Sequence, residues 1–208
     1  KKLGAIGWAL RGREELRAAL RDVMGDTEPP SRRPRRTPDR RAREGPGPNA
    51  ETLRQLGERG LIAKVRDRMP RSAPGTRTGI GDDCAVLEPR PGMALLATTD
   101  LLIEDIHFRR RWAEPADIGW KSIAVNLSVI AAMGGNPRWA LVALACPEST
   151  SAEEIEAFYE GALALANAHG VAVVGGDTSA SPSGWVVNVT LLGEAAADSP
   201  SPPRTVGP

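Results

Sequence analysis

The sequence is short of the features that mark several large classes of protein. Its two cysteines, Cys84 and Cys146, lie far apart and lack metal-ligand spacing with either histidine, which excludes a disulfide scaffold and a zinc signature. A reducing, cytoplasmic setting is the expectation. No uninterrupted apolar run approaches the roughly 20 residues that span a bilayer. The start, Lys1-Lys2-Leu3-Gly4, leads into a charged amphipathic stretch instead of the apolar core of an export signal. Charge of one sign is missing too. Lys+Arg 27 against Asp+Glu 26 gives a formal net charge of +1, so the whole chain offers no field for a nucleic-acid backbone or an anionic membrane. None of its glycine-rich segments continues into the Lys-Ser/Thr of a P-loop.

What is present suits one sizeable domain: 208 residues, 41% of them hydrophobic. Composition divides the chain into four parts. Residues 1–25 read as an isolated helix or a non-native extension, with apolar residues at helical spacing between Glu14 and Met24. Residues 26–50 are an Arg/Pro-rich linker with almost no large apolar residue, unable to join a core. The tract from Arg32 to Arg43 has no interleaved aromatic residue to stack on a base, so it reads as a solvated linker and not as a nucleic-acid contact. Residues 51–194 carry the folding pattern. Residues 195–208 dissolve into Ala, Ser and Pro.

Within 51–194 the spacing predicts a short helix through Leu53, Leu56, Leu61, Ile62 and Val65, stopped between Pro70 and Gly75. Strands follow at Met93–Thr99, Trp139–Ala145, Val171–Val174 and Trp185–Leu192, the last with clear alternation. Pro115–Met133 is a helix whose buried face is Ile118, Ile123, Leu127 and Ile130. A second helix, capped by Ser151 with Glu154 three residues on, runs through Asn167 on an apolar side of Ile155, Phe158, Ala162 and Leu165. Trp120, Trp139 and Trp185 are assigned to packing, and His169 to a helix C-terminus. The order β-α-β-α-β-β, with its last strands joined by the short turn Ser181–Gly184, specifies an α+β fold: a mixed sheet covered by helices.

Three acidic or glycine-rich loops stand beside predicted strand ends: Gly79-Ile80-Gly81-Asp82-Asp83, Thr98-Thr99-Asp100 and Gly175-Gly176-Asp177-Thr178. A carboxylate beside glycine-rich backbone suits magnesium and phosphate together, because Mg²⁺ takes oxygen ligands and glycine lets phosphate approach the amides. A single such loop is an ordinary turn, whereas three point to a polyphosphate site. His107, after Glu104 and Asp105, is read either as surface polarity or as a hydrogen-bond partner for an anionic substrate.

These loops, together with Lys121, Asn126-Leu127-Ser128 and Ala131-Ala132-Met133-Gly134-Gly135, stand in an order that resembles the thiamine-monophosphate kinases of the aminoimidazole ribonucleotide synthetase-related superfamily. The resemblance implies that family's amino-terminal domain fold. It implies ATP-dependent phosphorylation of thiamine monophosphate to thiamine diphosphate, with Mg²⁺ gathering the phosphates. By similarity, Asp83, Thr98, Thr99, Asp100 and Asp177 match magnesium-contacting positions, Asp100 and Asp177 being the catalytic pair. His107 matches a substrate contact and Tyr159 a nucleotide contact. A homodimer through the amino-terminal domains, with a barrel-like interface, is implied as well. Two departures stand out. The family motif continues Asn-Leu-Ser-Asp, whereas Val129 follows Ser128 here and supplies no oxygen. Family members also carry a carboxy-terminal domain where this chain enters 195–208, as expected of a truncated or frame-disrupted copy with a mis-extended start. Two alternatives stay open: a related superfamily enzyme with another small-molecule substrate, and a catalytically silent dimerising or nucleotide-binding module.

Overall fold

The computed structural model describes Thr52, Arg54, Gln55, Gly60 and residues 74–197. The expected helix near the start, the Arg/Pro linker, nearly all of the helical region between Leu53 and Val65, and the tail from residue 198 lie outside the described residues. Two short strands, β1 (Thr76–Thr78) and β2 (Val86–Leu87), pair antiparallel around the Gly79–Asp83 loop. The main elements are β3 (Met93–Ile103), α1 (Pro115–Ala132), β4 (Asn136–Cys146), α2 (Ala152–Ala168), β5 (Ala172–Ala180) and β6 (Val186–Ala196). The sheet order is β3-β6-β4-β5. Strand β6 runs antiparallel to both neighbours, and β4 and β5 are parallel, joined through α2. The sheet is therefore mixed and the fold α+β, as the element order implied.

The short turn at Ser181–Gly184 does not make β5 and β6 neighbours: the chain passes over the end of β4 and inserts β6 between β3 and β4. Alternation explains why that slot is favourable. Val187, Val189 and Leu191 are each at most 1% exposed and face the helices from the centre of the sheet, where a strand flanked on both sides buries the most apolar surface.

Both helices cover that face. Ile118, Ile123, Leu127 and Ile130 of α1, and Ile155, Phe158, Ala162 and Leu165 of α2, enter one core with Val142, Leu144, Val173 and Trp185. The start of α2 is the reciprocal cap its sequence announces: the Glu154 amide donates to Ser151 Oγ at 3.2 Å, and the Ser151 amide to Glu154 Oε2 at 3.0 Å. His169 closes the helix, its amide bonded back to Leu165 and Ala166. The helices touch backbone to backbone. A Cβ on Gly161 would lie 1.8 Å from the Ala116 carbonyl oxygen, and one on Gly119 1.9 Å from that of Phe158.

Trp139 and Trp185 are fully buried, while Trp120 is 44% exposed and packs no core. Its neighbours Gly119 and Ile118 occupy the inward face of α1, and residue 120 turns outward. Trp139 belongs to a smaller cluster on the other face of the sheet, with Ala172 and Val174 and with Ala85 and Leu87 packed against them. Its indole donates to Thr76 Oγ1 at 3.0 Å and ties down the β1–β2 pair. Among the described residues no helix is long and apolar enough to cross a membrane.

Candidate functional site

Two of the three acidic segments are strand, not loop. Asp100 lies inside β3, which continues to Ile103, and Gly175–Thr178 lies inside β5, which continues to Ala180. Glycine hides the second from a propensity reading, yet the pairing requires it: a Cβ on Gly176 would stand 1.8 Å from the Val142 carbonyl oxygen. Only Gly79–Asp83 is a true loop, turning through Gly81 at φ 114°.

Register fixes where the carboxylates stand. Asp100 is level with Val189, Val142 and Gly176 across the sheet, and Leu101 is level with Asn188, Ala143 and Asp177. Asp100 and Asp177 thus sit one row apart along the strands but on opposite edge strands, β3 and β5. Three interstrand spacings separate those edges, roughly 14 Å. The glycine loop belongs to the β5 side, because a Cβ on Gly79 would meet the Val174 carbonyl at 4.0 Å. Asp83 is exposed there, with its amide bonded to Asp82 Oδ1 at 2.9 Å. Thr98, Thr99, Asp100 and His107 belong to the β3 side.

On the β3 side Thr99 is already engaged: its hydroxyl is 3.2 Å from the Val189 carbonyl and 3.1 Å from Thr190 Oγ1, and Asn188 Nδ2 donates to it at 3.1 Å. His107 is exposed, and its Nδ1 accepts the Ile103 amide at 3.0 Å. A neutral ring so held carries its proton on Nε2, as a donor toward solvent. Lys121 Nζ donates to the His107 carbonyl at 2.6 Å. On the β5 side Tyr159 is 5% exposed. Burial pushes its phenol up to about 12, against the pull of the Thr178 side chain and with Cys146 and Asp177 adding to the rise. Burial likewise pushes the Cys146 thiol up.

The donors expected for Mg²⁺ are all carboxylate and hydroxyl oxygens, the chemistry this ion selects. A single chain does not gather them: among the described residues no three His, Cys, Asp or Glu side chains converge on one point. Val129, 40% exposed on α1, adds no oxygen.

Two carboxylate networks, one part-buried and one around the fully buried Glu194, carry no motif signal in the sequence, since each joins residues far apart in the chain, Arg110 to Glu154 and Arg90 to Glu194. Arg110 Nε lies 3.0 Å from Glu104 Oε1, and its Nη1 3.1 Å from Glu154 Oε1. Glu104 Oε2 also accepts the Trp185 amide at 2.8 Å, so the segment after β3 is pinned to the cap of α2 and the start of β6. Glu194, 0% exposed, accepts both the Arg90 amide at 2.8 Å and Arg90 Nε at 2.7 Å.

Comparison with known proteins agrees with this architecture. The chain is 44% identical over 116 residues to the thiamine-monophosphate kinase of Bacillus subtilis (strain 168), an overlap of 56% of this chain and 36% of that protein. It is 40% identical over 133 residues to the Salmonella typhimurium enzyme of the same name, covering 64% of this chain and 40% of the other. The crystal structure of thiamine-monophosphate kinase from Stenotrophomonas maltophilia K279a superimposes with a TM-score of 0.58 at 43% identity, over 65% of this chain and 42% of that one. The chain thus spans well under half the length of these relatives. The pattern of AIR synthase related protein, N-terminal domain, matches residues 81–195, more than half of the chain. The chain belongs to the AIR synthase related family, and the domain it carries is the N-terminal one.

Proposed function

We propose that this chain is the amino-terminal part of a thiamine-monophosphate kinase, transferring the γ-phosphoryl group of ATP to thiamine monophosphate in a cytoplasmic setting. A phosphate oxygen of the acceptor attacks the γ-phosphorus, the bond to the β-phosphate oxygen breaks, and ADP leaves. The observation that carries the reading is the placement of two half-sites on opposite edges of the sheet, one row apart, Asp83 with Asp177 and Thr98–Asp100 with His107, in a chain 44% identical over 116 residues to a kinase of that name.

Residues 51–194 form the catalytic unit in this reading, and two copies complete it. Strands β3 and β5 are the sheet's edges. Joining β3 of one copy to β5 of another, twice about a two-fold axis, closes a barrel and leaves no edge exposed. It also brings Asp100 of one copy to Asp177 of the other. Asp83, Thr98, Thr99, Asp100 and Asp177 would hold Mg²⁺, which when bound offsets repulsion between two phosphorylated reactants. His107 donates from Nε2 to the acceptor, and Tyr159, behind Thr178, lines the nucleotide side.

The test is thiamine diphosphate formation from ATP, thiamine monophosphate and Mg²⁺ by the 208-residue chain. Asp100→Ala and Asp177→Ala should each lower the rate by at least about a hundredfold. Mixing the two should restore about a quarter of the wild-type rate, since half of the dimers then hold one intact site. No product from the wild-type chain favours the second reading, a silent dimerising or nucleotide-binding module, for which Val129 speaks. Val129→Asp separates the two further. It should raise Mg²⁺-dependent nucleotide affinity by roughly tenfold in calorimetry, and an unchanged affinity refutes the role assigned to that position.

A further inference from the structure

The segment between β3 and α1 is ordered from within and leaves an unusual set of groups outside. Its backbone is closed by hydrogen bonds from the Asp105 amide to Phe108 at 2.8 Å, from the His107 amide to Ile103 at 2.8 Å and from the Trp112 amide to Arg109 at 2.9 Å. Asp105 adopts φ 64°, in the left-handed region that aspartate enters more readily than most non-glycine residues. Phe108 is buried, and Arg110 is held by Glu104 and Glu154. Of three consecutive arginines the middle one is therefore spent on the fold.

The flanking two turn outward and meet on one indole. The Arg109 guanidinium carbon lies 4.6 Å from the Trp112 ring centroid, and that of Arg111 lies 4.5 Å from it. Trp112 is 70% exposed, so it contributes little to the core. Bringing two guanidinium cations to one ring costs mutual repulsion that stacking only partly offsets. Asp105 pairs with Arg109 at 3.4 Å; among the described residues no carboxylate pairs with Arg111. A stacked guanidinium keeps its in-plane N–H donors free, and a pair of such forks matches the oxygens of a phosphate.

We infer that Arg109 and Arg111, braced on Trp112, form the site that receives the phosphate monoester of the acceptor substrate. The inference rests on the kinase reading and deepens it by assigning specificity. The arginines distinguish a phosphorylated acceptor from its free alcohol, and Trp112 is a positioning residue that holds them side by side. His107, three residues from Arg110 and fixed through Nδ1, presents its Nε2 donor from the same segment.

Calorimetry on the full 208-residue chain, with thiamine monophosphate, thiamine and ATP as separate probes, tests this. The wild type should prefer thiamine monophosphate over thiamine by at least about tenfold, and the double variant Arg109→Gln/Arg111→Gln should bring that ratio to within about threefold. ATP affinity should not move. Trp112→Ala should weaken thiamine monophosphate binding by about fivefold or more, and Trp112→Phe, which keeps a ring for stacking, should stay within about twofold. Far-ultraviolet dichroism checks that each variant is folded. If the double variant retains the wild-type ratio, the inference is wrong and the kinase reading stands. If it loses ATP and keeps thiamine monophosphate, the site belongs to the nucleotide and the inference is overturned. If the wild type binds ATP without thiamine monophosphate, or neither, the kinase reading fails and takes the inference with it.

Discussion

Replacing Gly161 by alanine should lower the melting temperature by about 12 °C. Helix propensity alone gives the opposite sign, since alanine is favoured over glycine inside a helix by about 1 kcal/mol. Packing decides. The added Cβ would stand 1.8 Å from the Ala116 carbonyl oxygen and 2.6 Å from its carbon, and those atoms are backbone that cannot rotate aside. The helices must separate, opening the contact through which Phe158 and Ala162, each 0% exposed, reach Ile118 and the sheet. Overpacking costs about 1–3 kcal/mol, and a backbone-to-backbone contact belongs at the upper end. At roughly 4 °C per kcal/mol for a domain of this size, the expected fall follows. Differential scanning calorimetry checks it, and an unchanged or raised melting temperature means α1 and α2 are further apart than described.

The second large effect lies at Glu194. Burial pushes its carboxyl up, but the Arg90 amide and guanidinium hydrogen bonds and the charges of Arg138 and Arg90 outweigh burial and hold it below the ordinary 4.5. Arg138 Nε lies 3.7 Å away, and Arg138 Nη2 also donates to the Pro74 carbonyl at 3.0 Å. One carboxylate therefore joins β6, the turn before β3, the start of β4 and the chain leading into β1. Glu194→Ala should destabilise by about 2–3 kcal/mol. This is below the 3–5 kcal/mol of a fully buried broken pair, because Arg90 is half exposed and recovers water. The pH dependence follows from the sign of the shift. A depressed carboxyl contributes its stability above the unfolded value and loses it as pH falls through the folded one. Urea midpoints of wild type and Glu194→Gln should differ near pH 7 and converge progressively below about pH 4.5. A difference that persists undiminished to pH 2 would mean that the carboxylate's charge is not what stabilises.

Local signals made much of this protein legible. Ser151 and Glu154 announce a capping box that forms as written, because both partners lie within one helical turn. The stripes from Ile118 to Ile130 and from Ile155 to Leu165 are buried along their length, since a 3.6-residue period leaves one face for a core. The β1–β2 pair was missed because strands of two and three residues are too short to display alternation. Gly175–Thr178 read as a loop because glycine is a poor strand former, although only glycine lets β5 pass Val142 there. Residue type alone assigns Trp120 to packing, while its position on α1 turns it out.

The sequence by itself determined the order of the long strands and helices, the helix faces, the oxygen-bearing motifs and, by resemblance, the family, because caps, periodicity and short motifs act over a few residues. Tertiary structure decided what those motifs are to one another. The order β3-β6-β4-β5 puts Asp100 and Asp177 on opposite edges, since strand pairing is chosen by burial across the whole sheet and not by the short turn between β5 and β6. It also decided which charges are spent on the fold. Arg110 is satisfied by Glu104 and by Glu154, 44 residues on, and Glu194 by Arg90, 104 residues back, leaving Arg109 and Arg111 at the surface.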